Sequence, residues 1–174
     1  FMNDLEEVID TLWLYSTHEE DPWTVDRAFQ AIQPFGDAAL EGLVWAVQQD
    51  DFNLRLLGLR VLREYNDPAV VALHAVANCI DSGNRIVRMT AIETAGLMRA
   101  GASSVVPWIL PHLNSDDQLE RAIAAGNLLR ITGTEEASAV LRELMTNENA
   151  GVAMYAAFYL RESEWTEKPP EDWF

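Results

Sequence analysis

Apolar residues recur along most of the chain at helical spacing, and short polar or Gly/Pro-marked breaks separate the runs. From Asn3 to Ser16, Leu5, Val8, Ile9, Leu12 and Trp13 fall on one helix face, and Asn3 with Glu6 has capping-box spacing. After the polar linker Thr17 to Asp21, Asp21-Pro22 starts a second helix, with Pro where its missing N–H costs nothing and Val25, Ala28, Phe29 and Ile32 as the buried stripe. Pro34-Phe35-Gly36 breaks the chain, and a third helix over about 37–49 turns Leu40, Leu43, Val44 and Val47 inward. Asp51 caps a fourth helix to about Tyr65; Asn66-Asp67-Pro68 opens a fifth with Val70, Leu73, Val76, Ala77 and Ile80. Asn84 caps a sixth to about Arg99, and Gly101 closes the pair. Ser103 or Ser104 caps the seventh, Asp117 the eighth, which ends at Gly133, and Thr134 the ninth; the tenth covers about 150–162. No stretch alternates like a strand bounded by hairpin turns. Short helices with short turns predict antiparallel helix hairpins. Residues 163–174 depart from the pattern and are predicted irregular, with Trp165, Trp173 and Phe174 folding back on the final pair or serving as a docking motif.

The polar turns line up at a period of 33 residues. The capping column is Asp51, Asn84, Asp117, then Ala150; four residues on runs a basic column of Arg55, Arg88, Arg121, then Met154. A small-residue column, Gly58, Ala91, Ala124 and Ala157, stands beside Leu59, Ile92, Ala125 and Phe158. One helix pair cannot bury both its faces, so such units stack. The pieces Val106-Pro107-Trp108-Ile109-Leu110, then Asp117, then Glu120-Arg121, with Val87-Arg88 one unit earlier, resemble the HEAT-repeat family, particularly its short bacterial and bilin-lyase-type units. The Thr-Pro-Leu-His signature of ankyrin repeats and the tetratricopeptide pattern are missing. The resemblance implies an all-α fold: a right-handed α-solenoid of about five HEAT-like helix pairs, ten helices in one domain over 1–174. The units would be about 3–33, 37–65, 67–99, 102–131 and 134–162. It also implies that turn acids and arginines of adjacent units form a structural ladder of Asp51, Arg55, Asn84, Arg88, Asp117 and Arg121, lost at the terminal unit.

Charge narrows the partner classes. The chain of 174 residues carries 28 acids against 12 bases, a net charge of -16. Such a field repels nucleic-acid phosphates and anionic membranes and favours a basic protein or peptide, although it also serves solubility alone. Residues 1–26 hold eight acids and no Lys or Arg, a basic-partner patch or a solvated helix face. All the bases but Lys168 are Arg, as in salt-adapted proteins or under codon bias. The single cysteine, Cys79, excludes an internal disulfide and reads as a buried thiol. No transmembrane run or signal peptide is evident, and Phe1 before Met2 looks like a vector remnant, so a cytoplasmic protein is expected.

Catalytic signatures are missing: no nucleophile elbow, phosphate loop or dinucleotide fingerprint, and no metal-binding spacing among His18, His74 and His112. No cofactor and no enzymatic activity are expected. Enzyme readings remain as alternatives, a bilin-lyase-like subunit or a HEAT-type DNA glycosylase; a pocket holding His74 or His112 beside a carboxylate would favour catalysis. By the resemblance, second helices line a concave face, where Phe52, Arg60, Arg85, Met89, Glu93, Tyr155 and Tyr159 would bind a protein or peptide. Aromatic, Met and Arg side chains are typical interface anchors. Packing between layers is the competing role for some of them.

Overall fold

The computed structural model describes residues 2–18, 23–65, 70–98 and 103–167. They form ten α-helices: α1 (Met2–Ser16), α2 (Thr24–Ile32), α3 (Asp37–Val47), α4 (Phe52–Leu62), α5 (Val70–Ile80), α6 (Arg85–Leu97), α7 (Val106–Ile109), α8 (Gln118–Thr132), α9 (Glu135–Leu144) and α10 (Ala150–Glu167). Among the described residues there is no strand. Neighbouring helices pair as hairpins, and the pairs stack. The second helices pack in series, α4 on α6, α6 on α8 and α8 on α10, while α1 lies on α3 and α3 on α5. The result is an all-α solenoid.

Local chemistry explains where the helices begin and end. The Asp51 carboxylate accepts a hydrogen bond from the Leu54 N–H at 2.8 Å, Asn84 accepts from Ile86 and Val87, and Asp117 accepts from Leu119 and Glu120. Each satisfies N–H groups that the first helical turn leaves unpaired. Gly133 adopts φ 64° and its N–H closes back on the Leu129 carbonyl, a left-handed cap that glycine tolerates without strain. An Asp51→Ala variant is expected to lose about 1 kcal/mol of stability, the usual cost of an N-cap carboxylate, in urea unfolding.

The core is continuous along the stack. Leu12, Leu43, Leu59, Ile92, Ile123 and Leu128 are enclosed, and Cys79 is a buried thiol that donates to the Val47 carbonyl at 3.4 Å. Burial pushes the Cys79 pKa up. Small residues set the helix spacing: a Cβ on Gly58 would approach Val47 Cγ1 of its own pair to 2.8 Å, and one on Gly42 would approach Val8 Cγ1 of α1 to 2.4 Å.

Several expectations are corrected. Helix α1 already includes Asn3, so Asn3 and Glu6 do not form a capping box at its start. Trp13 is exposed, with its ring edge-on to that of Trp45 at 6.5 Å between ring centres. Neither Ser103 nor Ser104 caps α7, which starts behind Val105 without a side-chain cap. The expected seventh helix is split, because Pro111 has no N–H and crowds the preceding turn; residues Leu110–Asn114 tighten into a 3-10 helix. Thr134 stands at the N-cap position of α9 as expected, but its side chain makes no capping bond, and its hydroxyl accepts from that of Thr132 instead. Helix α10 runs to Glu167, through part of the segment expected to be irregular, since neither Gly nor Pro interrupts it after Gly151. The expected roles of Asp21-Pro22, Asn66-Asp67-Pro68, Gly101, Trp173 and Phe174, and of the Trp165 side chain, lie outside what is described.

Candidate functional site

An open cleft of about 300 Å³ lies where the N-terminal turns of α8 and α10 meet the start of α6. Stacking brings residues 33 apart side by side there, so Arg85, Gln118 and the turn before α10 share one surface. Arg85 grips Asp117 with two guanidinium nitrogens, one at 3.1 Å from Oδ1 and the other on Oδ2. The Arg85 hydrogen bond holds the Asp117 carboxyl below its ordinary value, although partial burial opposes it. Leu119 and Val152 supply apolar surface, and Tyr155, 38% exposed, stands at one side.

The turn Asn147-Glu148-Asn149 provides the polar wall. Asn147 Oδ1 accepts the Asn149 N–H and Asn149 Oδ1 accepts the Gly151 N–H, both at 2.9 Å. With the oxygens committed to backbone, both carboxamide NH₂ groups remain as donors at the cleft. Gln118 donates only a long bond of 3.4 Å to the Asp116 carbonyl, which leaves its side-chain oxygen as an acceptor. Two donors and an acceptor around a cleft with an aromatic side match the alternating groups of a peptide backbone. Sequence reasoning missed Asn147 and Asn149. The 33-residue column pointed to Ala150, whereas the cap has slipped one residue back to Asn149, and an Asn beside that column was the available signal.

The other candidates lie elsewhere. Phe52 is exposed on the first turn of α4, and Met89 is half-buried against the core. Arg60 is exposed, and Glu93 is a half-buried carboxylate among Arg63, Arg130 and Arg60. Burial raises the Glu93 pKa against the pull of those three cations. Tyr159 is not a surface anchor. It is 4% exposed and wedged between layers, its ring against Gly126, its hydroxyl accepting from Asn127 Nδ2 at 3.2 Å, and the Arg130 guanidinium 4.7 Å above its face. Burial pushes its phenol up to about 12.

The expected acid–arginine ladder is also corrected. Arg55, Arg88 and Arg121 each donate to a carbonyl of their own turn, from Gln49, from Ser82 and Gly83, and from Leu113 respectively. Their acidic partners are not the capping residues: Arg88 pairs with Glu120 and Arg121 with Glu143, both at 2.8 Å, and Arg55 with Asp50 at 3.5 Å. The capping acid that does bridge units is Asp117, and it is held by Arg85. His112 lies beside a carboxylate, with Nδ1 at 2.7 Å from Glu120 Oε1. Glu120 is 3% exposed, and its other oxygen is taken by Arg88, so the arrangement is a clamp between α6 and α8. Among the described residues no group of three His, Cys, Asp or Glu side chains is placed to hold a metal ion.

A family model for HEAT repeats matches residues 73–161, just over half of the chain, and the chain belongs to this family. The matched span runs from α5 into α10 and contains the whole cleft. No curated protein matches the chain. HEAT repeats generally mediate protein–protein interaction. Among the described residues no helix is long and apolar enough to cross a membrane.

Proposed function

We propose that the chain is a non-enzymatic interaction module of the cytoplasm that holds an extended segment of a partner protein in the cleft between α8 and α10. The observation that carries this reading is the set of uncommitted groups there: the NH₂ of Asn147 and Asn149 and the oxygen of Gln118, with Tyr155 beside them. These groups meet main-chain carbonyls and an N–H, and the Tyr155 ring covers one side chain. The net charge of -16 favours a partner whose flanks are basic, and disfavours nucleic acid and anionic membranes. The closed Arg88–Glu120–His112 clamp supports a non-catalytic role, because the acid is 3% exposed and both its oxygens are already engaged.

The test is selection of a random peptide library on phage against the full chain at low salt. Basic peptides are expected, with affinity falling about tenfold or more in Gln118→Ala and Tyr155→Ala, while both variants keep the wild-type melting temperature. Peptides that bind both variants as well as they bind the wild type would place recognition elsewhere and end this reading.

A further inference from the structure

The terminal layer exposes a face that is enclosed in every layer before it. In the column Leu59, Ile92, Ala125, Phe158, the first three are 0% exposed, while Phe158 is 57% exposed. Met154, one turn earlier, is 67% exposed, and Tyr155 completes an apolar hollow with them. Helix α10 itself packs on α8 and α9. Contiguous apolar surface of this kind marks an interaction site.

We propose that a second copy of this chain covers it, with α10 lying antiparallel on α10 of the partner copy across a two-fold axis. Three observations favour this occupant. From Ala150 to Leu160 the helix carries no charged residue, although the chain has a net charge of -16, so the seam itself contains no repulsion. Asp4, Glu6, Glu7 and Asp10 lie on α1, at the opposite end of the stack, where α1 packs on α3 and α4. The ends of the face are complementary. With the crossing centred between Met154 and Phe158, Met154 of one copy meets Phe158 of the other. Exposed Arg161 then comes within about one helical turn of Glu148 in the other copy, a gap that an Arg side chain spans. The contact continues the α4–α6–α8–α10 stacking into the second copy and closes on itself, as a two-fold interface does. Head-to-tail stacking would instead set this neutral face against acidic α1.

Sedimentation equilibrium of the full chain across the micromolar range tests this. The expected mass is twice 19.5 kDa, with association strengthened by salt, which screens the remote acidic ends. Phe158→Glu is expected to weaken association about 30-fold or more, the effect of losing a central anchor. Because that ring also meets Tyr159, Met154→Glu, at a side chain 67% exposed, is the paired variant expected to weaken association while the melting temperature of the monomer stays unchanged. Arg161→Glu weakens the dimer, and adding Glu148→Arg restores it. A monomer at all concentrations, a dimer indifferent to Phe158→Glu, or a mass that keeps growing beyond two copies overturns the proposal. So does a monomer that dimerises only after Trp173→Ala with Phe174→Ala, which would assign the face to the chain's own last residues.

Discussion

Gly126→Ala is expected to destabilise the protein by about 2–3 kcal/mol, more than a surface helix position tolerates, where Ala usually improves on Gly. A Cβ at that position would lie 2.2 Å from Cγ and Cδ2 of the Tyr159 ring. The ring has nowhere to go. Its hydroxyl is held by Asn127, Arg130 covers its face, and the Phe158 ring meets it at 5.5 Å between centres. Tyr159→Ala alone is expected to cost about 3–5 kcal/mol through the cavity it leaves and through Asn127, which is fully buried and loses a partner. The two lesions should not add. Once the ring is gone the alanine methyl is accommodated, so the double variant is expected to be about 1–3 kcal/mol more stable than the sum of the single effects predicts. Urea unfolding of the four proteins of this cycle measures the coupling. Strict additivity would mean that Tyr159 does not rest on Gly126. The same ring predicts alkaline sensitivity. Its folded pKa of about 12 lies above the unfolded value of 10.0, so its contribution is intact below pH 10 and is lost as pH rises toward 12.

That wedge shows what the sequence could and could not convey. The period of 33 placed Arg60, Glu93, Gly126 and Tyr159 in one column, and the helices carrying them follow from apolar spacing and caps. A column assigns neighbours, but it does not say how large each residue is relative to the gap beside it. Gly126 leaves a space that the Tyr159 ring fills, so a residue expected to project as an anchor is buried. Arg85 and Tyr155 were recognisable as surface residues from the same columns. The cleft they share depends on Asn149, where the cap moved by one residue, and a strict repeat conceals such slippage. The arginine column was visible, but its partners were not. Arg side chains reach several carboxylates, and burial favours Glu120, on the inner side of α8, over the capping Asp117. Pro111 was legible in principle: a proline inside an apolar helical pattern removes a donor, and the split of the seventh helix follows from that rule.

Glu120→Ala is expected to cost about 3 kcal/mol, the low end for breaking a buried ion pair, because Arg88 keeps some contact with water. The carboxylate is the joint of the α6–α8 stack. Arg88 donates to both of its oxygens, at 2.8 and 3.4 Å, and His112 Nδ1 must donate to it at 2.7 Å, since an ionised carboxylate can only accept. Removing it strands a guanidinium whose remaining partners are the Ser82 and Gly83 carbonyls. The pH dependence has a definite sign. Burial alone would raise the Glu120 pKa; the hydrogen bonds and charges of Arg88 and His112 outweigh it and hold the group below the ordinary 4.5. A carboxyl whose folded pKa is depressed stabilises the fold above its unfolded value and loses that contribution as pH falls through the folded one. Wild-type stability is therefore expected to fall below pH 4.5, with Asp117 and Glu143, also depressed by their arginines, adding to the loss. Glu120→Gln keeps the shape and one acceptor but cannot titrate. Its unfolding free energy should start lower at neutral pH and fall less steeply in acid, so that the two curves converge. Parallel curves from pH 7 to pH 3 would show that the clamp carries no proton-linked stability and that the stack is held at this joint by packing alone.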